Sequence, residues 1–137
     1  MKKISEQKYP AYFPEGCPPE DASVDEKVLF RFCKNDEPGE DDFVSYFLDN
    51  PKKFKGNMIA YGLSVLPSRE ECREAYKKYP YIRKYRSIAE GKTNENRGSW
   101  KTTPGRISPE HITWWVCEDI NPCTFFVFDS KIGDEDE

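Results

Sequence analysis

Residues His111 to Val116 read His-Ile-Thr-Trp-Trp-Val, a run that holds two of the three tryptophans of the chain and its only histidine. Its β-branched and aromatic residues are typical of a β-strand. We predict a strand over 111–117 in which His111, Thr113 and Trp115 share one face. Trp114 then lies on the other face, which we expect to enter the core.

Further strands are predicted on both sides of this one. The alternation over 28–33 has the period of a strand, and the apolar run 59–66 is bounded by turn residues. The segment 99–103 is expected to pair back across a polar loop at 91–98. The segment 124–128 is expected to form a C-terminal β-hairpin with 111–117.

Two helices are predicted between these strands. Ser68 and Glu71 form a capping box before an apolar stripe that ends at Pro80. Aromatic residues at helical spacing also predict a short helix over 40–49. The chain is therefore expected to be an α+β protein, a mainly antiparallel sheet with one or two short-to-medium helices packed on it.

Length and composition favour one folded domain over 1–132. A chain of 137 residues with 15% aromatic residues can bury a core, because each large ring covers about 150 to 250 Å². The prolines of residues 1–23 predict a coil packed on the domain. The acidic tail 133–137 is expected to be disordered.

Several classes of protein find no support in the sequence. No apolar run is long enough for a membrane span, no apolar signal-peptide segment follows the N-terminus, and five cysteines give an odd count. We therefore expect a cytoplasmic protein with reduced thiols, no membrane association and no cofactor. His111, Cys117 and Cys123 lack the usual spacing of zinc ligands, so no metal site is predicted.

The middle of the chain is basic. Residues 69–106 contain 11 of the 21 basic side chains but only five acidic ones. This segment gives nucleic-acid binding as one hypothesis. Because the whole chain has a net charge of −4, the alternative is that these residues neutralise the acidic flanks.

The leading functional hypothesis from sequence is a small binding or accessory domain, of the interaction, immunity or defence-associated type. The only histidine, His111, titrates near neutral pH and is expected at the start of a strand beside Thr113 and Trp115. An aromatic cleft there, with Arg69 and Arg73 on a basic helix face, would bind an unknown protein or a nucleotide-type ligand.

The alternative hypothesis is an enzyme. Arg31 alternates into an early predicted strand and Ser64 lies on the next, a pattern that resembles ADP-ribosyltransferases of the Arg-Ser-Glu type. The resemblance implies a nucleotide or nicotinamide substrate, with Arg31 gripping a phosphate, Ser64 orienting the ribose and His111 or Glu118 assisting. The chain departs from that family because it has no Ser-Thr-Ser motif and no evident late glutamate. A shared concave pocket for Arg31, Ser64 and His111 would favour the enzyme.

Overall fold

The computed structural model describes residues 6–132, which contain six strands and three α-helices. The strands are β1 (Lys27–Cys33), β2 (Leu63–Val65), β3 (Ser87–Thr93), β4 (Gly98–Thr102), β5 (Ile112–Val116) and β6 (Val127–Lys131). The helices are α1 (Tyr46–Asp49), α2 (Pro51–Phe54) and α3 (Arg69–Lys78), and short 3-10 turns connect several elements. The predicted acidic tail 133–137 lies outside the described residues.

The strands form two antiparallel sheets, with strand orders β1-β3-β6 and β2-β5-β4. One antiparallel bridge joins the sheets, between Phe30 of β1 and Leu66, the residue after β2. In this bridge each backbone N–H donates to the carbonyl of the other residue over 2.8 Å. The predicted α+β class, with mainly antiparallel strands and a few helices, is confirmed.

Helix α3 begins where its capping residue predicts. The Ser68 hydroxyl accepts a hydrogen bond from the Glu71 amide over 3.2 Å, and Cys72 and Ala75 are buried on the inner stripe. The Glu71 side chain, however, does not complete the predicted capping box. Its carboxylate instead accepts a hydrogen bond from the Ser108 hydroxyl over 2.5 Å.

The chain between β1 and α3 is more broken than its sequence pattern predicts. The expected helix over 40–49 divides into a 3-10 turn at Glu40–Asp42 and the short α1, because Ser45 caps α1 by accepting from the Leu48 amide. The expected strand over 59–66 shortens to β2. A 3-10 turn at Met58–Tyr61 precedes it.

The C-terminal strand pair is formed by β4 and β5, in a register from Gly98↔Val116 to Thr102↔Ile112. The final strand, β6, pairs with β3 in the other sheet. Strand β3 extends to Thr93, into the predicted loop at 91–98. Its partners are β1 and β6, so β4 does not pair back across that loop as predicted and pairs with β5 instead. A Cβ on Gly91 would lie 2.3 Å from the Phe126 ring, so a glycine in β3 permits this packing.

The core joins both sheets and is partly aromatic. Trp114 is fully buried, as its strand face predicts, and packs against Phe126 with 5.4 Å between ring centroids. Its indole N–H donates to the Thr93 hydroxyl over 2.8 Å, which satisfies the polar atom that burial would otherwise leave unpaired.

The N-terminal segment lies against the β2-β5-β4 sheet. Ser23 forms a bridge with Trp100 of β4, and the Gln7 side chain donates to the Gly98 carbonyl over 2.9 Å. Tyr9 stacks on Phe13, and both pack against a buried cluster that contains Trp115. This segment therefore covers one face of β5.

Candidate functional site

The three candidate catalytic residues line one pocket. Arg31 comes from β1, Ser64 from β2 and His111 from the position before β5, and all three line a cavity of about 390 Å³. The three residues are also linked by hydrogen bonds, from Arg31 to Ser64 and from Ser64 to His111. Arg31 Nη1 donates to the Ser64 carbonyl over 2.8 Å, and Ser64 Oγ is hydrogen-bonded to His111 Nε2.

The hydrogen bonds of His111 fix which ring nitrogen carries the proton. Its Nδ1 lies 3.0 Å from the Thr103 carbonyl oxygen, which can only accept. Nδ1 must therefore donate, and in the neutral ring Nε2 is left as an acceptor. It follows that the Ser64 hydroxyl donates its proton to His111 Nε2.

Burial keeps His111 neutral at physiological pH. The half-buried ring has its pKa lowered below the usual histidine value by desolvation, and the hydrogen bond to the Thr103 carbonyl offsets this only in part. A neutral imidazole with a lone pair on Nε2 is a proton acceptor. The Ser64–His111 pair therefore has the protonation state that a general base requires.

Arg31 is held rigidly beside the pair. Its Nε donates to the Asp42 carbonyl over 2.6 Å, and its guanidinium lies 5.8 Å from the centre of the Phe43 ring. Burial lowers the pKa of this guanidinium, but arginine stays charged far above neutral pH. Nη2 makes none of the hydrogen bonds described within residues 6–132, which leaves donors for a ligand.

The buried carboxylate of Asp42 organises the loop beside Arg31. It accepts hydrogen bonds from the Lys34 amide over 2.6 Å, from the Asn35 side chain over 2.8 Å and from the Gly39 amide over 3.0 Å. This network fixes the carbonyl of Asp42 that holds Arg31. Sequence reasoning missed it, and the only signal was the turn composition at 35–39.

The mouth of the pocket combines rings with charges. Tyr46 and Tyr81 are exposed there, and Tyr85 also lines the wall. Its basic side chains besides Arg31 are Lys34, Lys84 and Arg106, and its acidic ones are Asp41, Asp42 and Asp49. Such a mixture suits a ligand that carries both a flat ring and negative charge.

None of the four predicted ligand-binding residues lines this pocket. Trp115 is 1% exposed and donates its indole N–H to the Met58 carbonyl, while the Thr113 hydroxyl contacts that of Thr103 over 2.7 Å. Arg69 forms a two-bond ion pair with Asp129, and Arg73 contacts Ser130. The rings that line the pocket together with His111 are those of Phe32, Tyr46, Tyr81 and Tyr85 instead of Trp115.

Comparison with protein families, with curated proteins and with solved structures gave no significant match. Over residues 6–132 no helix combines the length and apolarity needed to cross a bilayer. The same residues contain no cluster of three or more histidine, cysteine or acidic side chains arranged to hold a metal ion. The functional argument therefore rests on the pocket.

Proposed function

We propose that the chain is an enzyme that acts on a nucleotide-type substrate, with nicotinamide dinucleotides as the first class to test. The observation that carries this proposal is the meeting of Arg31, Ser64 and His111 in one pocket. The resemblance to the Arg-Ser-Glu ADP-ribosyltransferases supports the substrate class, since it rests on the same arginine and serine.

Arg31 is assigned to a substrate phosphate. A guanidinium presents its donors in a planar fork that matches two phosphate oxygens, and Arg31 is already fixed by its bonds to the Asp42 and Ser64 carbonyls. Binding therefore costs little side-chain entropy. Lys84 and Arg106 at the mouth add positive charge for further phosphates.

His111 is assigned to proton transfer, and Ser64 to orienting both the imidazole and a substrate hydroxyl. His111 precedes the late strand β5, the part of the chain where the resemblance implies a glutamate. Unlike a glutamate, a neutral histidine supplies no negative charge. Its contribution is to accept a proton from the attacking group.

The ring of the substrate is assigned to the tyrosines at the mouth. Tyr46 and Tyr81 offer exposed faces on which a base or a nicotinamide can stack. The alternative of a binding domain with a cleft at Trp115 has less support, because that indole is buried under the N-terminal segment.

A nucleotide panel tests the proposal. NAD, ADP-ribose, AMP and nicotinamide are added separately and thermal unfolding is followed. At a ligand concentration roughly 100 times Kd, a binding nucleotide should raise Tm by about 5 to 10 °C. Arg31→Ala should remove this shift, whereas Lys101→Ala, which removes a cation of β4 outside the pocket, should keep it. Absence of any nucleotide shift in the unaltered chain would refute the proposal.

A further inference from the structure

Ser64 differs chemically from the other serine that lines the pocket. The Ser45 hydroxyl accepts from the Leu48 amide over 3.2 Å and caps α1, so its role is accounted for by the fold. The Ser64 hydroxyl instead donates to His111, the only histidine of the chain. One pocket therefore contains a serine with a base and a serine without one.

The base is itself oriented by a third group. His111 Nδ1 donates to the Thr103 carbonyl over 3.0 Å, and the backbone of the same two residues is linked by the Thr103 N–H to the His111 carbonyl over 2.7 Å. A hydroxyl, a base and a group that orients the base are the parts of an activated serine nucleophile. Here a backbone carbonyl takes the orienting position, so the ring is held without a neighbouring carboxylate.

A fixed positive charge lies next to the serine. The guanidinium of Arg31 contacts the Ser64 carbonyl over 2.8 Å, and its Nη2 faces no described hydrogen-bond partner within residues 6–132. A cation in this position stabilises negative charge that develops on Ser64 Oγ or on an oxygen of the substrate. Ser64 is also half-buried on the cavity wall rather than enclosed in the core.

We propose that Ser64 is a nucleophile activated by His111 and that it forms a covalent intermediate with the substrate. This inference deepens the proposed function, on which it rests for the identity of the substrate. With a nicotinamide ribosyl substrate, Ser64 Oγ bonds to the anomeric carbon, and the carbon–nitrogen bond breaks with its electron pair passing to the leaving nicotinamide. The Ser64 proton goes to His111 Nε2.

The second step releases the product. The imidazolium first loses its proton to solvent, and a water molecule then attacks the same anomeric carbon. His111 accepts a proton from that water and returns it to Ser64 Oγ as the carbon–oxygen bond to the serine breaks. The free enzyme is restored, and no oxidant, metal or further reactant is required.

A small electrophile tests the nucleophile without knowledge of the substrate. Phenylmethylsulfonyl fluoride is incubated with the full chain, and the adduct is located by peptide mass spectrometry. In the expected reaction Ser64 Oγ bonds to sulfur, fluoride leaves with the electron pair of the broken bond, and the proton passes to His111. We expect modification at Ser64, with Ser45 unmodified.

Three variants test whether His111 activates Ser64. Ser64→Ala should abolish the adduct, Ser45→Ala should retain it, and His111→Gln should slow its formation by roughly 100-fold or more. Thermal unfolding verifies that each variant is folded. No adduct in the unaltered chain, modification at Ser45 instead of Ser64, or an undiminished rate in folded His111→Gln would each overturn the inference.

The result separates this inference from the proposed function. An adduct at Ser64 in a chain that binds no nucleotide keeps the nucleophile and refutes the substrate class. Nucleotide binding without an adduct keeps the substrate class and refutes the nucleophile. If both hold, NAD at a saturating concentration should slow the modification of Ser64, because the two occupy one cavity.

Discussion

The carboxylate of Glu71 in α3 accepts a hydrogen bond from the hydroxyl of Ser108 over 2.5 Å. Ser108 is 2% exposed, and its own carbonyl accepts from the His111 amide over 3.3 Å. The loop between β4 and β5, which carries His111 into the pocket, is thereby fastened to a helix that does not line it. We therefore expect Glu71 to position His111 through this loop.

Glu71→Ala should raise the pKa of His111 towards its usual value, because a released loop exposes the imidazole to water. Loss of the negative charge of Glu71 alone would instead lower the pKa of His111 further. Since the chain has one histidine, its ring protons report this pKa directly in an NMR titration.

Glu71→Gln is the matched control, because its amide oxygen can still accept from Ser108. It should leave the pKa of His111 lowered, as should Glu70→Ala on the exposed side of the same helix. An unchanged His111 titration in folded Glu71→Ala would show that the contact only stabilises the fold.

The stability of the protein should fall as the pH is lowered through the range between the usual and the lowered pKa of His111. Burial lowers the pKa in the folded state, so the unfolded chain binds the proton first and unfolding is favoured there. Urea unfolding at a series of pH values measures this loss.

His111→Gln should remove that part of the pH dependence. The carboxylates whose pKa values are lowered by ion pairs, Asp36 and Asp129 among them, lose their contribution only in a more acidic range. Identical pH profiles for the unaltered chain and His111→Gln would contradict the burial of a neutral imidazole.

Trp115→Phe should destabilise the fold by about 1 to 3 kcal/mol, because it leaves the Met58 carbonyl without the indole donor and opens a gap in the cluster under the N-terminal segment. Reaction of Ser64 with phenylmethylsulfonyl fluoride should be unchanged. Urea unfolding and the modification rate are the two measurements.

Trp100→Phe serves as the comparison. The Trp100 indole donates to the Asp25 carbonyl at an exposed position, so this substitution should destabilise the fold less than Trp115→Phe. If Trp115→Phe has full stability but Ser64 no longer reacts with phenylmethylsulfonyl fluoride, Trp115 contributes to the site after all.

Nucleic-acid affinity should be weak and without a steep dependence on salt. Several cations of segment 69–106 are paired with acids from the flanking parts of the chain: Arg69 with Asp129, Arg86 with Asp36, Lys92 with Glu26, and Lys101 with Asp21. Such pairing reduces the positive surface available for phosphates. Electrophoretic mobility shifts with DNA and RNA at low and high salt test this, and tight binding that salt abolishes would revive the nucleic-acid hypothesis.

Local patterns predicted the elements better than their partners. The strand at β5, the burial of Trp114 and the start of α3 at Ser68 are all encoded within a few neighbouring residues. The pairing of β6 with β3 depends on Phe126 packing over Gly91, a contact between distant parts of the chain. Periodicity contains no information about that contact.

The candidate site shows the same division. The patterns identified Arg31 and Ser64 as polar residues within predicted strands. Ser64 lies beside His111 because β2 pairs with β5, and Arg31 reaches Ser64 because a bridge joins the two sheets. The burial of Trp115 depends on where the N-terminal segment lies, which the prolines do not specify. The Thr103 carbonyl could not be found from sequence, because backbone atoms are present at every position.

The turn at residues 94–97 connects the two sheets, with Arg31 and Ser64 before it and His111 after it. A chain divided at Asn96, which is exposed, would therefore carry two of the three pocket residues on one fragment and the third on the other. Neither fragment contains the Ser64–His111 hydrogen bond by itself. Reactivity at Ser64 would then report the reassembly of the two fragments, which makes this fold a natural scaffold for a split-protein complementation assay.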